Sequence, residues 1–234
     1  CRRTGRRPVA KLCGAPPRVI GHIDLSPVEM MAWLYCPVKL RGAEDCVVPS
    51  NLKQFSPILR AVYMDAWNDG KWATRWLDKY IYLTAKTLFV TPENPGNRPG
   101  WHCDGYGSDD LNYIWSSRNP TLFWELPCRI YLPEDHERSM QLMCGLAEEY
   151  PHLIRTYPDK TLLRLDETVI HNVAPCPTPG WRTFVKVSVS SQRYLLEGNS
   201  INHELAPDWT YVAREENRND PLKPLKVGDG HYEA

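Results

Sequence analysis

Residues 99–110 read PGWHCDGYGSDD, and how His102, Cys103 and Asp104 project from that stretch decides the fold. In a β-strand, side chains two apart lie on one face. His102 and Asp104 then point together and Cys103 points away. An imidazole nitrogen and a carboxylate oxygen on one face can share a cation. Just upstream, YIYLTAKTLFV at 80–90 is rich in β-branched and aromatic residues and predicts a strand. PENPGNRPG at 92–100 is a dense turn region, and a glycine-containing loop follows the motif. A His and an Asp two apart occur often by chance, so the pair acquires meaning only from what the rest of the chain brings to it.

Downstream, strands dominate. PTLFWELPCRIYL at 120–132, KTLLRLD at 160–166, TVIHNVAP at 168–175 and RTFVKVSVSS at 182–191 all read as strands. One helix interrupts them at 137–150, where Met140, Met143, Ala147 and Tyr150 share a face. Upstream the signals are helical. SPVE at 26–29 carries a serine cap, a proline at the first helical position and a glutamate reaching back. SPILRAVYMDAWNDG at 56–70 repeats the device, with Leu59, Val62, Tyr63 and Ala66 on one face and Gly70 as the stop. Trp72, Trp76 and Tyr80 predict a short helix after it. Strands joined by turns, without a helix between each pair, argue against a parallel doubly wound sheet. The expectation is a mainly β fold of antiparallel sheets with a helical buttress.

The expected organisation is one domain over 1–234: a basic flexible arm at 1–18, mainly helical support at 19–79, a β core at 80–198 and a C-terminal extension at 199–234. Within the core, 105–120 is expected to be a lid and 137–150 an inserted helix. Balanced charge, 28 basic against 28 acidic side chains, gives no field to concentrate a polyanion, so net charge does not support nucleic acid as a partner. No apolar run approaches the ~18 residues of a membrane span, so no membrane partner is expected. Eight scattered cysteines without a C-x-x-C pair suggest reduced thiols and an intracellular, cytoplasmic setting.

A metal held by His102 and Asp104 needs a third ligand from a separate strand, and His171 in DETVIHNVAP is the best candidate. Two histidines and one carboxylate leave positions open on the metal. That set suits a non-haem Fe(II) and also a catalytic zinc. Arg182, eleven residues after His171, separates the two. A strand returning after PCPTPG would bring it into the same cavity, where a buried guanidinium needs an anion and grips a carboxylate in bidentate fashion.

HxD, a distal histidine and an arginine about ten residues later resemble the Fe(II)/2-oxoglutarate-dependent dioxygenases. The matching segments are WHCD, DKTLLRLDETVIHNVAP and GWRTFVKVS, within residues 80–190. The resemblance implies a double-stranded β-helix, the jelly-roll or cupin-like core of two antiparallel sheets. It implies His102, Asp104 and His171 as catalytic iron ligands, and Arg182 as partner of the distal carboxylate of 2-oxoglutarate. O2 would be the second co-substrate, succinate and CO2 the by-products, and hydroxylation the reaction. Halogenating relatives have a small residue where this chain keeps Asp104. The chain departs from several branches at Phe184, where a serine is found. Residues 182, 184, 186 and 188 share a strand face, so Lys186 or Ser188 is expected to supply polar contacts instead. Thr84 and Lys86 on the preceding strand are further candidates for holding the co-substrate. Tyr106, Asn112, Tyr113 and Trp115 are expected to contact the substrate from the lid. Two other readings stay open: a cupin-like metal-binding protein without turnover, and a nucleobase-oxidising member of the same superfamily. A zinc hydrolase is a third, with Asp166 or Glu167 as its base.

Overall fold

A computed structural model describes residues 11–213, apart from 28, 70–72, 105–107, 109, 134 and 177. The chain opens with β1 (Lys11–Cys13), β2 (Arg18–His22) and β3 (Met31–Lys39). Helix α1 (Ser56–Asn68) follows, framed by 3-10 turns at Ser50–Phe55 and Ala73–Asp78. Next come β4 (Tyr80–Val90), β5 (Leu111–Ser116), β6 (Leu122–Trp124), β7 (Ile130–Leu132) and helix α2 (His136–Glu149). The last strands are β8 (Ile154–Thr156), β9 (Thr161–Leu165), β10 (His171–Asn172) and β11 (Gly180–Ser190).

These strands build a large sheet ordered β2-β9-β5-β11-β4-β3 and a small one ordered β10-β6-β8, while β1 pairs with β7. Every strand pairing is antiparallel. An isolated bridge between His102 and His171 extends the small sheet by one more segment beside β10. The chain therefore alternates between sheets: β4 in the large one, His102 in the small, β5 large, β6 and β8 small, β9 large, β10 small, β11 large. That path is a double-stranded β-helix, the jelly-roll arrangement.

β11 is the spine of the large sheet. It pairs with β4 along its whole length, from Gly180–Val90 to Ser190–Tyr80, and with β5 on its other side. Its alternation sorts the two faces. Val185, Val187 and Val189 join Ile81, Leu83, Tyr113 and Trp115 against Ile58, Leu59 and Val62 of α1. Phe184 faces inward with Ile114, Leu163 and Leu165, and meets Phe123 of the small sheet. Behind the small sheet, Trp101, Cys103, Trp124 and Ile170 pack with Met143 and Ala147 of α2. Each fully buried large apolar side chain contributes roughly 1.5–3 kcal/mol. The parity expected at 102–104 holds in this respect: Cys103 enters the core behind the small sheet, away from the barrel interior.

Two expectations from sequence fail here. No helix follows the SPVE signal. Residues 31–39 form β3, which pairs with β4. The stretch MAWLYCPVK has strand-prone side chains, and an eleven-residue neighbour offers a long free edge, so pairing overrides a local cap. Pro37 fits because β3 is an edge strand. The support region 19–79 thus contains two strands ahead of its helical segments. Part of the expected arm is built into the fold instead: residues 11–13 form β1, Gly14 N donates to Thr168 O, and Arg18 begins β2. Residues 1–10 lie outside the described residues. By contrast α1 and α2 fall where periodicity predicts them. Asp135 caps α2, accepting from Arg138 N at 2.7 Å. Part of the expected C-terminal extension packs on β3, where buried Asn202 donates to Pro37 O and Val47 O. Among the described residues, no helix is long and apolar enough to cross a membrane.

Candidate metal centre

His102 and His171 sit opposite each other on adjacent segments of the small sheet and exchange both backbone hydrogen bonds, at 3.0 and 2.9 Å. Facing pairs of that kind put both side chains on one face, and the imidazole centroids lie 4.4 Å apart. Each ring is anchored through Nδ1: His102 to Gly100 O at 2.7 Å, His171 to Val169 O at 3.1 Å. A carbonyl only accepts, so Nδ1 carries the proton and Nε2 presents a lone pair. Asp104 completes the group. Its Oδ1 lies 3.8 Å from His102 Nε2, and its Oδ2 lies 3.8 Å from His171 Nε2. One ligand atom from each residue falls within 4.8 Å of the others.

Exposure shows where the group opens. The His171 side chain is 8% exposed, Asp104 22% and His102 31%, so the centre is closed on the His171 side and reachable across the other two. Burial, and then His102 beside it, lower the His171 imidazole to about 4. It is therefore neutral at physiological pH, as a metal ligand must be.

Lys186 reaches this group from β11, donating from Nζ to Asp104 Oδ2 at 2.6 Å. Burial works against both charges, yet each holds the other ionised. Lys186, then His171 and His102, lower the Asp104 carboxyl, and Asp104 raises the Lys186 ammonium. The Tyr35 ring stands 5.5 Å from Lys186 Nζ. Tyr35 comes from a bulge in β3 at positive φ (48°), and its N donates to Thr84 Oγ1. It meets Tyr194 edge-on, and Tyr194 stacks on Tyr82 at 4.1 Å.

Four residues earlier on β11, Arg182 faces the same interior and is 2% exposed. The strand rise puts its Cα roughly 13 Å from that of Lys186. Its Nε donates to Arg118 O and Asn119 O, while Nη2 is buried with no acceptor among the described residues. Phe184 lies between the two cations, with the Arg182 guanidinium 5.2 Å from its ring centroid and Lys86 Nζ 5.5 Å from it. Lys86 donates to Gly96 O at 2.7 Å and to Asn97 Oδ1. Burial, then Arg182 and Lys186, lower it to about 8. Neither Arg182 nor Lys86 meets a carboxylate at ion-pair distance among the described residues. A barrel interior with two such cations lacks an anion.

The other candidates separate by strand parity. Ser188 Oγ donates to Asn112 Oδ1 at 2.6 Å, inside the barrel. Tyr113 and Trp115 do not face the barrel interior. They belong to the opposite face of β5, where Tyr113 OH donates to Asp65 Oδ2 and Trp115 Nε1 to Ile23 O. Residues 111–116 of the expected lid are instead a central strand of the large sheet. Tyr106 lies outside the described residues. Tyr35 escapes a reading of the sequence because the cap signal before it points to a helix, and Tyr194 because it sits beyond the last predicted strand. Asp110 escapes it too, although 110 shares the parity of 112, 114 and 116.

No protein-family profile matches the chain, and no curated protein matches it. Several solved structures are similar, two of them as follows. EvdO2 from Micromonospora carbonacea var. aurantiaca is 14% identical, with 59% of this chain and 64% of that one covered, at a TM-score of 0.35. A full-length Neurospora crassa protein, solved in complex with alpha-KG, is 13% identical, with 59% and 46% covered, at a TM-score of 0.28. The chain spans less than two thirds of the length of either.

Proposed function

We propose that this chain is an Fe(II)- and 2-oxoglutarate-dependent oxygenase, hydroxylating its substrate with release of succinate and CO2. The observation that carries this reading is Arg182 Nη2, buried without an acceptor inside the barrel that also holds the His102–Asp104–His171 group. A keto-diacid brings both a chelating end for the metal and a distal carboxylate for that guanidinium.

His102, Asp104 and His171 would hold the iron, and Arg182 the distal carboxylate of the co-substrate. Bound together, the metal and the keto acid supply an oxidant from O2 as the keto acid loses CO2. The chain's own residues do the rest. Gly100 O and Val169 O fix the imidazole tautomers and keep Nε2 directed at Asp104. Lys186 keeps Asp104 ionised and pinned by one oxygen. The Phe184 ring lies against both Arg182 and Lys86. Ser188, through Asn112, and Thr84, through Tyr35 N, hold the surrounding strands in place.

The test is anaerobic reconstitution of the full chain with Fe(II) and 2-oxoglutarate. A visible charge-transfer band of the iron–keto acid chelate is expected, and succinate is released once O2 is admitted. His171→Ala is expected to lose the band. Arg182→Ala is expected to keep metal binding and to raise the 2-oxoglutarate requirement at least about thirtyfold, since truncating one member of a buried charged pair costs about 2–5 kcal/mol. Iron binding without a band or succinate would instead support a metal-binding protein without turnover. The Lys186–Asp104 contact favours that second reading, because the lysine already neutralises the carboxylate.

A further inference from the structure

A cleft of about 400 Å3 opens between residues that follow Asp104 and residues that precede His171 in the chain. Ser108, four residues after Asp104, lines one side of it, and Thr168, three residues before His171, lines another. The segments that carry two of the three ligands therefore form its walls. Asp110 and Gln192, at the adjoining ends of β5 and β11, complete it.

Its polar groups are unevenly matched. Asp166 Oδ1 accepts from Thr168 N at 2.9 Å and from Thr168 Oγ1 at 2.6 Å. Glu167 pairs with Lys11 at 2.6 Å. Asp110 is 6% exposed; its Oδ2 accepts from Tyr194 OH at 2.8 Å, but Oδ1 is buried with no donor among the described residues. Gln192 Oε1 is likewise buried without a donor. Two residues that line one cleft thus each carry a buried acceptor oxygen without a donor, one of them a carboxylate oxygen, and together they favour a group that donates. Of the common organic groups, ammonium and guanidinium alone have several N–H donors, a positive charge and no acceptor. A buried carboxylate oxygen without a donor is costly, and a charged donor restores it most fully.

We infer that this cleft receives the cationic end of the substrate, an ammonium or guanidinium group, with Asp110 Oδ1 and Gln192 Oε1 as its acceptors. The inference deepens the oxygenase reading and rests on it for the word substrate. It places the carbon to be oxidised on a short aliphatic arm between that nitrogen and the metal. The same chemistry occurs in a free amino compound and in a lysine or arginine side chain of a peptide.

Calorimetric titration of the metal-free full chain tests the cleft without turnover. The probes are n-butylguanidinium and n-butylammonium, with butanol and butyrate as controls. The cations are expected to bind and the controls not. Asp110→Asn is expected to weaken cation binding at least about tenfold, the scale of a lost charged hydrogen bond. Gln192→Leu should weaken it less, and it carries the test if Asp110→Asn fails to melt cooperatively. Free arginine and a tripeptide with central arginine then assign the source, whichever binds more tightly. Butanol binding as well as the cations do, or unchanged cation binding by folded Asp110→Asn and Gln192→Leu, would overturn the proposal. Cation binding by a chain that makes no succinate would leave the cleft standing and sink the oxygenase reading instead.

Discussion

At the scale of single residues, the barrel interior is an exercise in keeping charge. Asp104 and Lys186 remain ionised because they touch, and Arg182 because a guanidinium barely titrates. Lys86 is the weak member. It has only neutral oxygens for partners and stands near two other cations, so its pKa falls to about 8. The sign of the effect on stability follows. Below pH 8 both folded and unfolded chains carry the proton, and the fold bears the whole cost of the buried charge. Between pH 8 and the unfolded value of roughly 10.4 the folded chain loses its proton first, and the cost is relieved. The metal-free protein is therefore expected to gain stability across that window, by at most about 3 kcal/mol. Denaturant melts at pH 7.5 and 10 check this, and Lys86→Met should flatten the difference while raising stability at the lower pH. A wild-type curve falling over that window, with no contrast to the variant, would contradict it.

At the scale of elements, strand parity sorts the side chains of β4, β5 and β11 between the interior and the layer under α1. His102 and Asp104 are legible as a same-face pair because parity is a local property. So are Arg182, Lys186 and Ser188 on β11. Tyr113 and Trp115 are misassigned from sequence because their segment reads as a lid, and a loop has no parity. Tyr113 instead buttresses Asp65 on α1, alongside Arg164, which donates to the same carboxylate oxygen at 3.0 Å. Tyr113→Phe is expected to lower stability by about 1–3 kcal/mol, the cost of a hydrogen bond removed from a buried charged acceptor. Succinate release per folded molecule should not change. A variant as stable as the parent, or one with lost turnover, would count against this placement.

At the scale of the whole molecule, the His102–Asp104–His171 group brings together segments 67 to 69 residues apart in the chain. An ion that binds only the folded state stabilises it by RT ln(1 + [L]/Kd), about 2.7 kcal/mol at a hundredfold excess over Kd. Calorimetric melts with Mn(II), which does not turn over, should show a rise in melting temperature that a chelator reverses and that His171→Ala abolishes. An equal rise in His171→Ala would place the ion elsewhere. The sequence alone determined what is periodic or local: the strands from residue 80 on, the two long helices, the ligand pair and the facing side chains of β11. Tertiary structure decided what depends on partners far along the chain. It made 31–39 an edge strand because β4 offered that edge, and it set Lys186 against Asp104 because the inner face of β11 looks across the barrel at the small sheet. It left one oxygen of Asp110 unmatched where the ends of β5 and β11 meet the segment before His171. Periodicity is encoded residue by residue, whereas the charge and hydrogen-bond balance of a cavity exists only once distant strands enclose it.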